Sequence, residues 1–135
     1  MDAEVIVVGA GPSGSTTAKN LAELGRSVIL VDKEVFPRPK TCAGGLMAHT
    51  LRSFPYVKDF VDCYNTSAEL VSPNLKTAFQ VDAKNPVMAM TKGRTHFDRN
   101  VLRLAEDAGT EIRLGITVED CKVTPDQAEI TLANG

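Results

Sequence analysis

The chain has 135 residues, 43% of them hydrophobic and 24% charged, with a net charge of −2 at neutral pH. These are ordinary values for one globular domain with a real core, and they leave no basic footprint for nucleic acid. The start, Met1-Asp2-Ala3-Glu4, is acidic and leads into only four apolar residues, which makes neither a signal peptide nor a membrane span, so a cytoplasmic protein is expected. Cys42, Cys63 and Cys121 are odd in number, far apart and without a C-x-x-C pair, which argues against a disulfide framework and against a zinc site.

In chain order, the first element is Val5-Ile6-Val7-Val8, an apolar run that meets Gly9-Ala10-Gly11-Pro12-Ser13-Gly14 and then a helix-forming stretch. Strand, glycine turn and helix start in this order bring backbone N–H groups close to a pyrophosphate. Gly9 permits the bend, Gly11 carries no side chain, and Gly14 allows close helix packing. The pattern G-x-G-x-x-G alone is a weak signal, but here the next apolar run, Val28-Ile29-Leu30-Val31, ends in an acid, Asp32, at the distance a dinucleotide site requires. Between the two runs, Ala18, Leu21, Ala22 and Leu24 recur at helical spacing and Gly25 supplies a left-handed stop. Residues 4–32 therefore form one right-handed βαβ unit with a parallel sheet.

Residues 33–46 carry Pro37 and Pro39, then Cys42-Ala43-Gly44-Gly45, and read as a loop at the sheet edge where ligands of open α/β sheets bind. Cys42 has two readings there, a small buried side chain or a thiol beside a cofactor ring. A short helix over residues 46–54 ends at Pro55, and residues 56–66 have mixed character. Residues 69–81 read as two strands joined by Ser72-Pro73-Asn74, with a third strand over residues 87–91, so that residues 55–91 are an inserted segment holding a small sheet.

Thr95-His96-Phe97-Asp98 fits a capping box, with Thr95 as N-cap and Asp98 reaching back to it. The helix that follows presents Phe97, Val101, Leu104, Ala105 and Ala108 as its apolar face, stops at Gly109, and returns as a strand by residue 114. Arg94, just outside the helix start, is the better functional candidate, since an arginine at a sheet edge can reach phosphate or ring oxygens. Residues 117–133 make a hairpin around Pro125-Asp126-Gln127. Asn134-Gly135 is a turn dipeptide with no strand after it, from which the chain is expected to be the N-terminal part of a longer protein.

On the glycine turn with Asp32, on Lys40-Thr41-Cys42-Ala43-Gly44-Gly45-Leu46, and on Arg94-Thr95-His96-Phe97-Asp98 with Ala105 and Gly109, the chain resembles the FAD-dependent oxidoreductases related to aromatic hydroxylases. Among them it resembles the geranylgeranyl reductases, which saturate polyprenyl chains. The resemblance implies a Rossmann-like α/β FAD-binding fold with an inserted small β-sheet and a C-terminal β-hairpin. It implies that Gly9, Gly11, Ser13 and Gly14 hold the FAD pyrophosphate and that Asp32 with Lys33 binds the adenosine ribose. Cys42, Ala43 and Gly45 would border the flavin, Arg94 would contact the cofactor, and the backbone near Val118 would lie beside the adenine. A catalytic role for Cys42 belongs to the same expectation. Many members of the wider group have glutamate at Asp32 and glycine at Ala43. The family's aspartate-glycine strand, glycine-aspartate segment and substrate domain would follow Gly135.

The reaction implied is hydrogenation of isoprenoid double bonds in a lipid, with NAD(P)H or a small redox protein as external electron donor and peripheral contact with a membrane. Three alternatives share the first motif: a flavin monooxygenase or electron-transfer flavoprotein oxidoreductase, a non-catalytic nucleotide-binding fragment, and an NAD(P)-binding protein.

Overall fold

The computed structural model describes residues 2–86 and 88–133. In chain order its elements are β1 (Val5–Val8), α1 (Pro12–Glu23), β2 (Val28–Asp32), β3 (Gly45–Met47), α2 (Ala48–Ser53), a 3-10 turn (Pro55–Phe60), β4 (Val61–Asn65), β5 (Ser67–Val71), β6 (Ala78–Asp82), β7 (Met88–Thr91), α3 (Arg94–Asp107), β8 (Glu111–Leu114), β9 (Val118–Val123) and β10 (Ala128–Leu132). The chain divides into two compact units, one of Met1–Pro39 with Asp98–Gly135 and one of Lys40–Phe97.

The first unit is built on a parallel sheet in the order β1-β2-β8. Val5 pairs with Val28 and Val8 with Val31, and on the other side of β2 Ile29 pairs with Glu111 and Asp32 with Leu114. A strand flanked on both sides and covered on its faces needs apolar residues throughout, and Val28, Ile29, Leu30 and Val31 are all buried. Pro12 opens α1 at a position where its missing N–H costs nothing, and Gly25, at φ +78°, closes the turn that follows the helix. Ala18 is fully buried, its small side chain allowing close approach, and joins Ala10, Val28, Leu30, Phe36, Leu102 and Ala105 in the core. The β9–β10 hairpin is antiparallel from Ala128 opposite Val123 and turns through Pro125 and Asp126, held by the Thr124 N–H donating to the Gln127 carbonyl at 2.8 Å.

The helix that the Thr95 capping box was expected to start begins earlier, at Arg94. Its first hydrogen bond runs from the Phe97 N–H to the Gly93 carbonyl at 3.1 Å, so Gly93 holds the capping position and Thr95 lies inside the helix. Asp98 is 1% exposed and faces Arg38. The buried stripe of α3 is Phe97, Asp98, Val101, Leu102 and Ala105 rather than one through Leu104, which is only half-buried.

The second unit holds the inserted β structure. A three-stranded antiparallel sheet runs β3-β7-β4, and β5 pairs with β6 in a separate hairpin. Residues 45–47, expected to be loop and helix start, pair as β3 with β7, leaving α2 one turn and a half. The mixed stretch resolves into the 3-10 turn and β4. The two strands expected around Ser72-Pro73-Asn74 are β5 and β6, and Ser72 Oγ donates to Asn74 Oδ1 at 2.7 Å across the connection. Val87, the first residue of the expected third strand, and Asn134-Gly135 lie outside the described residues.

Candidate functional site

The glycine turn follows β1 and is fixed by its own polar groups. The Gly9 N–H donates to the Val31 carbonyl at 2.7 Å and continues the pairing of β1 with β2 for one further residue. Gly9 has φ +103°, which only glycine adopts without strain. A Cβ on Gly14 would lie 1.8 Å from the Gly9 carbonyl oxygen and 3.3 Å from Val7 Cγ1, so the helix meets the strand at a distance no side chain permits. Gly11 takes the N-cap position at φ −67° and ψ 176°, with no side chain capping the helix. Buried Ser15 closes the turn from inside, its hydroxyl donating to the Ala10 carbonyl at 3.0 Å. Ser13 is exposed.

Asp32, at the end of β2, binds this turn directly. Its Oδ2 accepts the Ala10 N–H at 2.5 Å and its Oδ1 accepts the Glu34 N–H at 2.8 Å. Val8, Gly9, Val31, Asp32, Lys33, Ile116, Thr117 and Val118 line an open cavity of about 240 Å³ at the carboxyl ends of the strands, where open α/β sheets take their ligands. Gly9, Asp32, Lys33 and Val118, each named from sequence, are thus brought to one place. Ile116 and Thr117 were not foreseen; the Ile116 N–H donates to the Asp32 carbonyl at 3.0 Å and so carries the chain past the acid.

Arg38 was missed as well. Its guanidinium stacks over Phe36, 4.7 Å from the ring centroid, and its Nη2 pairs with Asp98 Oδ2 at 3.2 Å. The Arg38 side chain is 13% exposed and that of Asp98 1%. Arg38 Nη1 is buried without a hydrogen-bond partner, and Nη2 lies 3.9 Å from where a Cβ would stand on Gly11. The only signal for this pair in the sequence is a cation held between two prolines and an acid spaced four residues after an arginine.

Within the second unit, Cys42, Ala43 and Gly45 are exposed and Gly44 is buried between them. The Gly44 N–H donates to Cys42 Sγ at 3.5 Å. Gly44 has φ +79°, and a Cβ there would come within 2.6 Å of Thr91 Oγ1, so two independent constraints require glycine. Gly45 begins β3 opposite Met90, and Arg94, half-buried, begins α3. No group of three or more His, Cys, Asp and Glu residues placed to hold a metal occurs among the described residues.

A tight glycine turn with no room for a Cβ at Gly14, a free N-cap and a cavity beside an acid are what the adenosine diphosphate half of a dinucleotide needs. A family model described as the FAD binding domain matches residues 2–130. The chain belongs to that family. FAD is therefore its cofactor, and the α/β architecture is the family's. The chain is 31% identical over 123 residues to a menaquinone reductase of Mycolicibacterium smegmatis, covering 87% of this chain and 30% of the relative. It is 30% identical over 125 residues to a digeranylgeranylglycerophospholipid reductase of Methanosarcina acetivorans, covering 87% and 31%. In fold it is similar to a crystal structure of a geranylgeranyl bacteriochlorophyll reductase-like protein from Thermoplasma acidophilum, with a TM-score of 0.82 and 23% identity over 96% of this chain and 34% of the other. The FAD-binding chain thus spans about a third of the length of the curated relatives it matches. Among the described residues no helix is long and apolar enough to cross a membrane.

Proposed function

We propose that this chain is the adenosine-binding part of an FAD-dependent reductase that hydrogenates isoprenoid double bonds of a lipid. The observation that carries the reading is the Cys42-Ala43-Gly44-Gly45 loop, in which Gly44 turns at φ +79° against Thr91 and Cys42 is exposed. The relationship to a digeranylgeranylglycerophospholipid reductase supports the same substrate class. In this reading Gly9, Gly11, Ser13 and Gly14 hold the pyrophosphate through the turn's N–H groups, Asp32 and Lys33 take the ribose, and the Val118 backbone borders the adenine. Cys42, Ala43 and Gly45 border the flavin, and Arg94 contacts the cofactor. Bound FAD supplies hydride chemistry; the chain's own residues bind it, orient it and keep water from it. The protein works at a membrane surface without spanning it, and takes its electrons from NAD(P)H or a small redox protein.

The test is to reduce the full-length holoenzyme chemically, add digeranylgeranylglycerophospholipid and follow the product by mass spectrometry. A gain of two hydrogens per saturated bond is expected; an unchanged lipid sinks the substrate assignment. The similarity to a menaquinone reductase favours a menaquinone as the second substrate to assay.

A further inference from the structure

We propose that the open face of the β3-β7-β4 sheet is the bed on which the substrate's polyprenyl chain lies, gripped by Met47, Met88 and Met90; the inference rests on the reductase reading above. Residues paired across antiparallel strands point to the same side of a sheet, and neighbours along a strand to opposite sides. Gly45 and Cys63 both pair with Met90, and Met47 and Asn65 both pair with Met88, so these residues share one face. Along it the Cys63 thiol donates to Asn65 Oδ1 at 3.9 Å. The opposite face carries Ala89 and Thr91, both buried, and is already covered. On the methionine face Met88 and Met90 are half-buried, while Gly45, Cys63 and Met47 are exposed, the last to 51%.

The make-up of this face says what it receives. Leaving Met1 aside, every methionine of the chain stands on it. None of its residues carries a charge, although charged residues make up 24% of the chain. An uncharged hydrocarbon covers such a face without stripping water from an ion, whereas a charged ligand would find no counter-charge there. Methionine is unbranched and polarizable, so it refits to the uneven outline of a methyl-branched chain. The face also begins in the right place. A Cβ on Gly45 would lie 3.0 Å from Met88 Sδ and 3.7 Å from Met90 Sδ, so both sulfurs converge on that residue. Gly45 ends the Cys42-Ala43-Gly44-Gly45 loop, which the reading sets beside the flavin. A double bond held at the flavin therefore has the rest of its chain leaving over the methionines.

The experiment uses the full-length holoenzyme and digeranylgeranylglycerophospholipid in detergent micelles. Lipid affinity is read from the perturbation of flavin absorbance, for the unsubstituted protein and for Met90→Gln, Met90→Leu, Met47→Gln and Met47→Leu. Glutamine has nearly the length of methionine but brings an amide that must be desolvated. Each glutamine variant is expected to weaken lipid binding about tenfold, and each leucine variant by less than about threefold, with the amount of bound FAD unchanged. Met47 is half-exposed, so Met47→Gln reports even where Met90→Gln fails to fold. Glutamine variants that bind the lipid as the unsubstituted protein does overturn the proposal, and so do equal losses for glutamine and leucine. A lowered thermal midpoint with unchanged lipid affinity means that the protein's own chain covers the face, and overturns it as well. The reading beneath it is tested separately, by anaerobic reoxidation of the chemically reduced flavin of the unsubstituted protein on adding the lipid. Reoxidation leaves the reductase reading standing whatever the variants do; a flavin that stays reduced overturns that reading and this inference with it.

Discussion

Asp32 Oδ2 accepts the Ala10 N–H at 2.5 Å, so the acid at the end of β2 holds the glycine turn at the end of β1 before any ligand does. With Oδ1 on the Glu34 N–H, both oxygens have a backbone donor. An amide has one oxygen, so Asp32→Asn turns its NH₂ toward one of these donors. The substitution is expected to destabilise the protein by about 1–3 kcal/mol in urea denaturation, and to lower FAD affinity through the displaced turn. Unchanged stability would mean that the carboxylate does not hold the turn.

Gly11 and Gly14 lie three residues apart and should respond in opposite ways. A methyl on Gly14 meets the Gly9 carbonyl oxygen at 1.8 Å, so backbone must move, at a cost of about 3 kcal/mol or more. A methyl on Gly11 has its nearest neighbour at 3.9 Å and a backbone conformation open to any residue. Gly11→Ala is therefore expected to keep its thermal midpoint, within about 0.5 kcal/mol, and to lose FAD affinity by crowding the phosphates. Denaturation and flavin titration of the two variants distinguish a packing glycine from a binding one.

Leu102 is fully buried in the core beside Ala18 and Phe36, whereas Leu104 is half-buried. Leu102→Ala is expected to cost about 2–5 kcal/mol of unfolding free energy and Leu104→Ala distinctly less. The reverse order would show that α3 is rotated about its axis.

Glu4 ties the start of β1 to the turn before β2. Its Oε2 accepts the Ser27 N–H at 2.9 Å and its Oε1 meets Arg26 Nη1 at 2.8 Å. The Ser27 N–H first, and Arg26 after it, hold the carboxyl below its ordinary value of 4.5. A value lowered by folding means that the charged form is favoured in the native state. Its contribution is therefore present above the unfolded carboxylate value and is lost as pH falls through the folded one. The stability difference between the native chain and Glu4→Gln should hold steady at neutral pH and close below 4.5, and added salt should shrink the part due to exposed Arg26. A difference independent of pH would contradict this.

Much of the first unit is legible in the sequence because its signals are local. Val5 to Val8 and Val28 to Val31 are short apolar runs, Glu111 to Leu114 alternates charged and apolar residues, and each marks a strand at the expected place. Gly9 with the acid Asp32, Asp32 with Lys33, and the backbone near Val118 were named from sequence, and the parallel pairing of β2 with β1 on one side and β8 on the other draws Gly9, Asp32, Lys33 and Val118 to one cavity. The Arg38–Asp98 pair was not legible, since its partners lie sixty residues apart and the local cues, two prolines around Arg38 and an arginine four residues before Asp98, do not join one to the other. Thr95-x-x-Asp98 misled for the same reason. The capping pattern is real, but the buried cation takes the acid and Gly93 takes the cap. In the second unit, Gly45-Leu46-Met47 reads as loop or helix until β7 supplies the partner that makes it a strand.

The strand that carries the fingerprint should also exchange its protons at two speeds. The Val5 N–H donates to Ser27 and the Gly9 N–H to Val31, so the odd-numbered amides face β2. By the alternation of a strand, those of Ile6 and Val8 face away from it, where both residues line a cleft of about 930 Å³ opposite Ile130 and Leu132. In deuterated water, protection along β1 should rise and fall from one residue to the next, slow at Val5, fast at Ile6 and slow again by Gly9. Such a pattern would make the chain's best-marked segment also the one whose amides sort most plainly into guarded and unguarded.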